Sequence, residues 1–453
     1  MSVTAGSLRK SGRFRLLRPA ESTTARPHSL KLLRELLGPG SRHAPPFRVR
    51  GAASSSTDCT SSAGGTVVDM TALDDIVDID AYHDTVVVQA GVRIGQLTKA
   101  LAEHGLELPG NHDLPERTIG GAIAGGCIGP AIADDGAFFA SQVKSLKIVT
   151  PDGRLMQVSD DKRNLLSALR LSYGTLGIIY EAEIRVRPIM PFSASHRRCS
   201  IRQFAAASES LARTDIGIKF YLLPFRDRVY LDLRRYSPDA VAGSSMPWKI
   251  KDWSESTVLP QVFRSLNRIV PVSGVRYRLI DEISKVTQEL VNNRLVACGS
   301  NATAHASRTG GSGKLANYST WAFPAADFAI VVQAYTDFCL RIHRDNGFRC
   351  DMPTVGYRLS RDSSAMLSPS FEEPMFALTA ISTQSKGWED FALDLAEFAQ
   401  HWGGSAFFNQ TRGMSADYAG EIFGSRMMFF RKIRRRFDPD NRMLNPYLSQ
   451  YFL

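Results

Sequence analysis

A glycine-rich stretch at residues 106–127 constrains this chain more than any other part of its sequence. Two pairs of adjacent glycines, at 120–121 and 125–126, enclose the small apolar triplet 122–124. Residues without a Cβ allow backbone N–H groups to approach an anionic or bulky group closely. The stretch therefore indicates main chain that contacts a phosphate or a flat ring, although a loop that only packs tightly has the same composition.

A second loop upstream favours the ligand interpretation. Residues 50–56 read Arg-Gly-Ala-Ala-Ser-Ser-Ser and follow a short apolar strand predicted at 47–49. A strand that runs into small, hydroxyl-bearing residues offers N–H and O–H donors to a diphosphate. Neither loop has the Gly-x-Gly-x-x-Gly spacing of a Rossmann site, and the chain has no Gly-Lys-Ser/Thr of a P-loop, so these two nucleotide-binding motifs are disfavoured.

The composition is that of a soluble globular protein. The chain has 453 residues, of which 43% are hydrophobic and 22% charged, and this length predicts two domains rather than one core. No run approaches the roughly 20 apolar residues of a spanning helix. Its six cysteines are scattered without Cys-x-x-Cys pairs, which predicts reduced thiols inside a cell and no metal site.

The formal charge of +10 is concentrated at the N-terminus. Residues 1–50 hold eleven Lys or Arg and two acidic residues, a net charge of +9. No basic face interleaved with aromatic residues is evident, so no nucleic-acid partner is predicted. Residues 1–14 form a basic leader. An Arg-rich start also resembles a mitochondrial transit peptide, but we favour a cytoplasmic protein, and the lack of an apolar signal region disfavours secretion.

The residues that surround the two loops predict a β-rich domain. Periodicity predicts three strands between 66 and 90, a helix at 94–104 and a hairpin at 143–158 with a Pro-Asp-Gly turn. Further on, Gly174 and Gly177 bring backbone close to whatever the loops hold.

In order and spacing, these residues resemble the FAD domain of the vanillyl-alcohol oxidase superfamily. Within it, the chain is similar to the sugar-lactone and alditol oxidases and to the decaprenylphosphoryl-ribose oxidases. The similar segments are 50–56, 64–70, 88–93, 118–124, 175–179 and, near the C-terminus, 437–448. The resemblance implies an α+β fold, with a two-part PCMH-type FAD-binding domain and an α/β substrate cap domain.

The resemblance also implies how the chain is divided. The FAD-binding domain is expected at 15–190, the cap domain at 191–400, and a C-terminal segment that returns to the FAD domain at 401–453. Residues 301–320 are rich in Gly, Ser, Ala and Thr and predict a loop, either a lid over the substrate or a plain surface excursion.

The resemblance places the cofactor contacts in the glycine-rich and serine-rich segments. The expected FAD-binding residues are Arg50, Gly51, Ala52, Ala53, Ser54, Ser55, Ser56, Gly110, Thr118, Gly121, Ala124, Gly125, Gly126, Cys127, Gly129, Gly177, Ile178, Ile179 and Asn445. Sugar-lactone and alditol oxidases often tether FAD through a histidine at the position of Ser54. A serine cannot form that linkage, so the resemblance implies non-covalent FAD.

The expected catalytic residues depart from the family pattern. Arg358 stands where the family has its active-site arginine, but Gly356 replaces the glutamate two residues earlier. The family's lysine falls near residues 409–412, where no lysine is present, and Gln410 or Arg412 is expected near the flavin instead. Tyr357 or His401 is the expected proton acceptor.

These departures predict a substrate with fewer hydroxyl groups than an alditol. We expect an FAD-dependent oxidoreductase that passes a hydride from a C–OH, C–N or C–C site of a small molecule to flavin N5, with O₂ or another electron acceptor. A secondary-metabolite intermediate is the expected class of substrate. The alternatives are a sugar-lactone or alditol oxidase proper, or a flavin-binding protein that catalyses a non-redox rearrangement or uses FAD structurally.

Overall fold

The computed structural model describes residues 22–110, 114–133, 135–237, 246–292, 295–298 and 316–453. The basic leader expected at 1–14 and residues 301–315 of the expected lid lie outside this part of the chain. Helices and strands are mixed throughout, which confirms the predicted α+β class. Within the described ranges, none of the helices has both the length and the apolar character required to cross a bilayer.

The first strands that the structure describes form a small parallel sheet. Its strands β1 (Thr23–Ala25), β2 (Phe47–Arg50) and β3 (Thr66–Asp69) lie in the order β1-β3-β2. Helix α1 (Leu30–Leu37) connects the first two and begins at Ser29, whose side chain accepts a hydrogen bond from the N–H of Leu32. Since β2 ends at Arg50, the serine-rich loop leaves directly from a buried strand.

A five-stranded antiparallel sheet follows. Its strand order is β4-β5-β9-β7-β8. The strands are β4 (Ile76–Asp80), β5 (Thr85–Gln89), β7 (Val143–Val149), β8 (Leu155–Val158) and β9 (Ile178–Arg185). Strands β7 and β8 pair as the predicted hairpin. Helices α2 (Ile94–Glu103), α3 (Ile119–Ala124) and α4 (Arg163–Leu169) lie in its connections, and the short strands β6 (Leu106–Glu107) and β10 (Arg187–Pro188) pair with each other.

The third sheet has eight antiparallel strands and is called the cap sheet below. Its strand order is β14-β11-β13-β12-β16-β17-β15-β18. The strands are β11 (Phe192–Cys199), β12 (Gly217–Leu223), β13 (Arg228–Tyr236), β14 (Leu295–Cys298), β15 (Asn317–Pro324), β16 (Thr354–Leu359), β17 (Met375–Ser382) and β18 (Ser405–Ala406). Its helices are α5 (Ile201–Ala212), α6 (Met246–Trp253), α7 (Leu259–Ile269), α8 (Ser273–Glu289), α9 (Phe328–Asn346) and α10 (Trp388–His401).

The two faces of the cap sheet differ. On the face called the helix face below, Phe220 and Phe376 pack against Phe204 of α5 and Phe328 of α9, with ring centroids 4.4 to 6.4 Å apart. Side chains alternate between the two faces along each strand. Tyr318 and Thr320 of β15 project from the opposite face, which is called the cleft face below. The register of each strand therefore decides which side chains face the first two sheets.

The C-terminal segment packs against the beginning of the chain. Helix α11 (Ala416–Phe437) bends at Gly424, and α12 (Pro446–Phe452) ends the chain. The rings of Phe408 and Phe452 contact that of Tyr173 at centroid distances of 5.1 and 6.5 Å. These contacts join the C-terminal segment to the loop that precedes β9.

Candidate functional site

The principal cleft lies where the two small-residue loops meet. Its empty volume, which includes space open to solvent, is about 920 Å³. Its walls include residues 51–55, Thr118, Ala124 and Gly125, residues 172–174, and Asn409 of the C-terminal segment. Loops that are far apart in sequence thus enclose one space, as their composition predicted.

The serine-rich loop presents unpaired donors to this cleft. Ala53 has a positive φ of 54°, which bends the backbone sharply. Across the part of the chain that the structure describes, the N–H groups of residues 51–55 have no protein acceptor. Buried or half-buried N–H groups ordinarily find partners, so this loop fits an anionic group such as a diphosphate.

Close backbone packing explains two of the glycines. A Cβ added to Gly51 would overlap the hydroxyl of Thr118, and one added to Gly177 would lie 2.6 Å from the carbonyl oxygen of Val149. Gly177 also has a φ of 134°, a conformation that other residues rarely adopt. Both positions therefore require glycine for the cleft walls to keep their shape.

A buried arginine that sequence reasoning missed supports the base of the cleft. Arg48 of β2 is 1% exposed and donates hydrogen bonds to the carbonyl oxygens of Cys59, Tyr173, Gly174 and Met443. Burial lowers its pKa to about 10. Its donors are used on main chain from three separate segments, so Arg48 holds the cleft together.

Two polar side chains meet at the carbonyl of Gly126, and a third contacts one of them. Gln410 donates to this oxygen through Nε2 at 3.0 Å, and Arg117 approaches it through Nη1 at 3.5 Å. Gln410 also accepts a hydrogen bond from Thr320 on the cleft face at 3.3 Å. The FAD-side loop, the C-terminal segment and the cap sheet thus converge at one point.

Tyr318 closes the same region from the cap sheet. Its hydroxyl donates to the carbonyl oxygen of Ser54. Burial raises the pKa of the Tyr318 phenol, and the nearby Arg117 guanidinium opposes that rise. Arg117 belongs to the glycine-rich stretch, and Tyr318 and Thr320 belong to the end of the expected lid, but none of the three was predicted as a site residue.

Tyr357 and Arg358 lie on opposite faces of β16. Tyr357 is on the cleft face, where the Nζ of Lys219 lies 5.8 Å from its ring centroid. Arg358 is on the helix face, 5% exposed, with its Nη atoms 3.4 Å from the carbonyl oxygens of Ala131 and Ala212. Burial lowers the pKa of Arg358. The structure therefore does not bring Arg358 to the cleft.

Gly356 shares the helix face with Arg358. A Cβ at Gly356 would overlap the ring of Phe220, which fills the space beside it. No room remains for a glutamate there. The space beside Gly356 is therefore filled by the Phe220 ring and is not open to the cleft.

The remaining expected catalytic residues lie in different surroundings. Arg412 donates to the carbonyl oxygen of Ser56 and pairs with Glu389 at 3.2 Å. It therefore contacts the serine-rich loop but does not line the cleft. His401 is exposed at the end of α10, edge-on to Trp402. His401 does not line the cleft, so the structure does not support proton acceptance by it.

The expected FAD-binding residues divide into two sets. Those that line the cleft are Gly51, Ala52, Ala53, Ser54, Ser55, Thr118, Gly121, Ala124, Gly125, Gly177 and Ile179. The others do not line it, and four of them make polar contacts nearby: Arg50 pairs with Asp69, the N–H of Ser56 bonds to Asn409, the N–H of Gly110 bonds to Asp135, and Asn445 donates to Asp58 and Ser61. The rest of this set are Gly126, Cys127, Gly129 and Ile178. The second set shapes the loops that the first set exposes.

Comparison with known proteins agrees with this geometry. Residues 22–159 match the family described as FAD binding domain. This part of the chain is therefore an FAD-binding domain, and the resemblance stated from the sequence is confirmed for it. The loops at 50–56 and 106–127 both lie within the match.

The curated relatives are sugar-lactone and alditol enzymes. L-gulono-1,4-lactone dehydrogenase of Mycobacterium tuberculosis is 26% identical over 46% of this chain and 48% of its own length. L-galactono-1,4-lactone dehydrogenase 2, mitochondrial, of Oryza sativa subsp. japonica is 32% identical over 35% and 27%. Alditol oxidase of a Streptomyces species is 29% identical over 27% and 29%. The matched region thus spans about half the length of these relatives or less.

A solved structure covers nearly all of the chain. Cholesterol oxidase from B. sterolicum superimposes with a TM-score of 0.75 over 95% of this chain and 94% of its own, at 14% identity. At this identity the likeness concerns the fold alone. The cap sheet and the C-terminal segment therefore share the fold of that oxidase, although the family match ends at residue 159.

Proposed function

We propose that this protein is an FAD-dependent oxidoreductase that removes a hydride from a C–OH, C–N or C–C site of a small molecule. One observation carries the proposal: the cleft of about 920 Å³ between two small-residue loops of an FAD-binding domain. When bound, FAD supplies the hydride acceptor of such a reaction. The names of the lactone and alditol relatives support the same class of reaction.

The chain's own residues hold the cofactor in this proposal. The unpaired N–H groups of residues 51–55 bind the diphosphate, because they form a concave set of donors without protein acceptors. Thr118 and residues 120–125 form the opposite wall. We propose that binding is non-covalent, since Ser54 has no ring nitrogen with which to attach the flavin.

The cleft face of the cap sheet contributes the substrate side. Tyr318, Thr320 and Tyr357 project from this face, and Gln410 reaches Thr320 from the C-terminal segment. We propose that Tyr357, in its phenolate form, accepts the proton of a substrate hydroxyl, with the ammonium of Lys219 near its ring. O₂ or another electron acceptor would then take the electrons from the reduced cofactor.

This arrangement favours a substrate with few hydroxyl groups. A polyol needs several directional acceptors, and the family's glutamate position is filled by the Phe220 ring beside Gly356. We therefore propose a sparsely hydroxylated alcohol or amine, such as an intermediate of secondary metabolism, rather than an alditol.

Anaerobic mixing tests the proposal. The FAD-loaded protein is mixed with L-gulono-1,4-lactone, xylitol, cholesterol and a series of monohydroxylated cyclic alcohols and amines. We expect the visible flavin band to bleach with members of the last series faster than with xylitol. Conversion of a compound while the band persists would support the non-redox alternative and contradict the proposal.

Acid precipitation tests the mode of attachment. A non-covalent cofactor leaves a yellow supernatant, whereas a yellow pellet would show a covalent bond. Cys59 lines the cleft and is the thiol to examine in that case.

A further inference from the structure

The cleft contains two cationic side chains, and they differ in their hydrogen-bond partners. Among the residues that line it, only Arg48 and Arg117 carry a positive charge. The donors of Arg48 are directed to four carbonyl oxygens. Arg117 makes a long contact from Nη1 to the carbonyl oxygen of Gly126, and its guanidinium lies beside the hydroxyl of Tyr318.

Arg117 is buried, and not all of its hydrogen-bond donors have a partner. It is 8% exposed, and its Nε is fully buried without a hydrogen-bond partner among the residues that the structure describes. No carboxylate within the described ranges lies at salt-bridge distance from it; the neighbouring Glu116 pairs with Arg93 at 3.1 Å. A buried guanidinium without a counter-charge is costly, so an anionic partner would stabilise it.

The position of Arg117 points to the ring end of the cofactor. The unpaired N–H groups at 51–55 already provide for the diphosphate. Arg117 lies instead at Gly126, where Gln410 and Thr320 also meet. This is the side of the cleft that faces the cap sheet, where the proposed function places hydride transfer from a substrate.

The same place lacks the expected cation. Gln410 is neutral, and no lysine occurs at residues 409–412, where the resemblance led us to look for one. A flavin gains negative charge at N1 and C2=O when a hydride adds at N5, so a cation near that edge stabilises the product.

We propose that Arg117 is the positive charge that stabilises the negative charge arising on the flavin ring, supplied from the glycine-rich stretch. This assignment rests on the proposed function, because it requires FAD in the cleft. It makes Arg117 a catalytic residue that contacts the cofactor, with Gln410 positioning it through their shared acceptor on Gly126.

Sulfite tests this assignment without a substrate. Its sulfur lone pair forms a bond to N5 of the oxidised flavin, and the negative charge moves to N1 and C2=O, so affinity for sulfite reports stabilisation of that charge. We expect Arg117→Met to weaken sulfite binding by at least about tenfold and Arg117→Lys by no more than about threefold. The visible absorbance of the bound flavin gives both dissociation constants.

Arg93→Met is the matched control. Arg93 is half-exposed and pairs with Glu116, the residue beside Arg117, and it does not line the cleft. We expect this variant to bind FAD and sulfite as the unaltered protein does. Arg117→Gln provides a second neutral variant, which keeps a hydrogen-bond donor but removes the charge.

The outcomes separate this inference from the proposed function. If the unaltered protein binds no FAD, both fail. If Arg117→Met and Arg117→Gln retain FAD and bind sulfite with unchanged affinity, only the assignment of Arg117 fails. Loss of FAD from both neutral variants but not from Arg117→Lys would place the charge at the diphosphate and would likewise contradict the assignment.

Discussion

The two sides of the cleft differ in the chemical groups that they present. The FAD-binding side presents main chain: unpaired N–H groups at 51–55 and glycines that allow loops to touch. The cap side presents side chains from one face of a sheet, including Tyr318, Thr320 and Tyr357. In the proposed function, backbone geometry that few substitutions can preserve holds the cofactor, whereas side chains that can change one at a time contact the substrate.

The largest expected effect is on the main-chain side. Gly51→Val introduces side-chain atoms where Thr118 already lies, so the two loops cannot keep their spacing. We expect affinity for FAD to fall at least about a hundredfold, from steric exclusion of the kind that overpacking produces. Titration of the deflavinated protein with FAD measures it.

Gly420→Ala is the control for that substitution. Gly420 lies in α11 with no atoms within 4 Å of an added Cβ, so we expect FAD affinity to be retained. Normal FAD binding by Gly51→Val would show that the serine-rich loop does not form the cofactor wall.

A second pair of variants compares the two faces of the cap sheet. Tyr357→Phe removes the hydroxyl on the cleft face, and we expect the rate of anaerobic flavin reduction by the most active compound of the panel to fall about a hundredfold. Arg358→Met acts on the helix face, where we expect a lower melting temperature and a reduction rate within about threefold of the unaltered protein.

The opposite pattern would reverse the comparison. If Arg358→Met slows reduction while Tyr357→Phe does not, then the arginine of the family pattern is catalytic and the cleft-face interpretation is wrong. Stopped-flow absorbance on protein with equal flavin content distinguishes the two results.

A third prediction concerns one histidine of the cap sheet and how it makes stability depend on pH. His196 of β11 is fully buried between Tyr230 and Trp248, and neither ring nitrogen has a partner among the described residues. Burial, together with the charge of Lys251, lowers its pKa from 6.5 to about 3. Between these two values the unfolded chain binds more protons than the folded one, so stability falls as the pH falls.

The size of the expected loss of stability follows from the lowered pKa of His196. This histidine's contribution is complete above pH 6.5, and from pH 7 to pH 5 about 2 kcal/mol of it is lost. His196→Phe is expected to remove that part of the pH dependence in urea unfolding curves. An unchanged pH dependence in the variant would show that His196 is not held neutral in the folded cap.

The smallest expected effect is at the outside of the serine-rich loop. Arg412→Met removes hydrogen bonds to the carbonyl oxygen of Ser56 but leaves the residues that line the cleft. We expect FAD affinity to fall about threefold, since a partly exposed hydrogen bond contributes little. A loss as large as that of Gly51→Val would mean that Arg412 contacts the cofactor directly.

The sequence predicted that the two small-residue loops would enclose one cleft, because close backbone packing restricts which residues can occupy such loops. Close approach at Gly51 and a positive φ at Gly177 exclude other residues, so their positions could be recognised without a structure. The hairpin at 143–158 was predictable for a similar reason, since a Pro-Asp-Gly turn joins two apolar runs.

The substrate side could not be predicted in the same way. Whether Arg358 or Tyr357 faces the cleft depends on the register of β16 within the cap sheet, and a shift of one residue exchanges the faces. Arg117, Tyr318 and Thr320 reach the site through long-range contacts with Gly126, Ser54 and Gln410. Contacts of this kind leave no local pattern in the sequence.

A structure of the FAD-loaded protein tests the central claim most directly. The account predicts diphosphate oxygens at hydrogen-bonding distance from the N–H groups of residues 51–55, with the flavin ring directed toward Gly126 and the cleft face. A dinucleotide found elsewhere, or a ring directed away from the cap sheet, would contradict it.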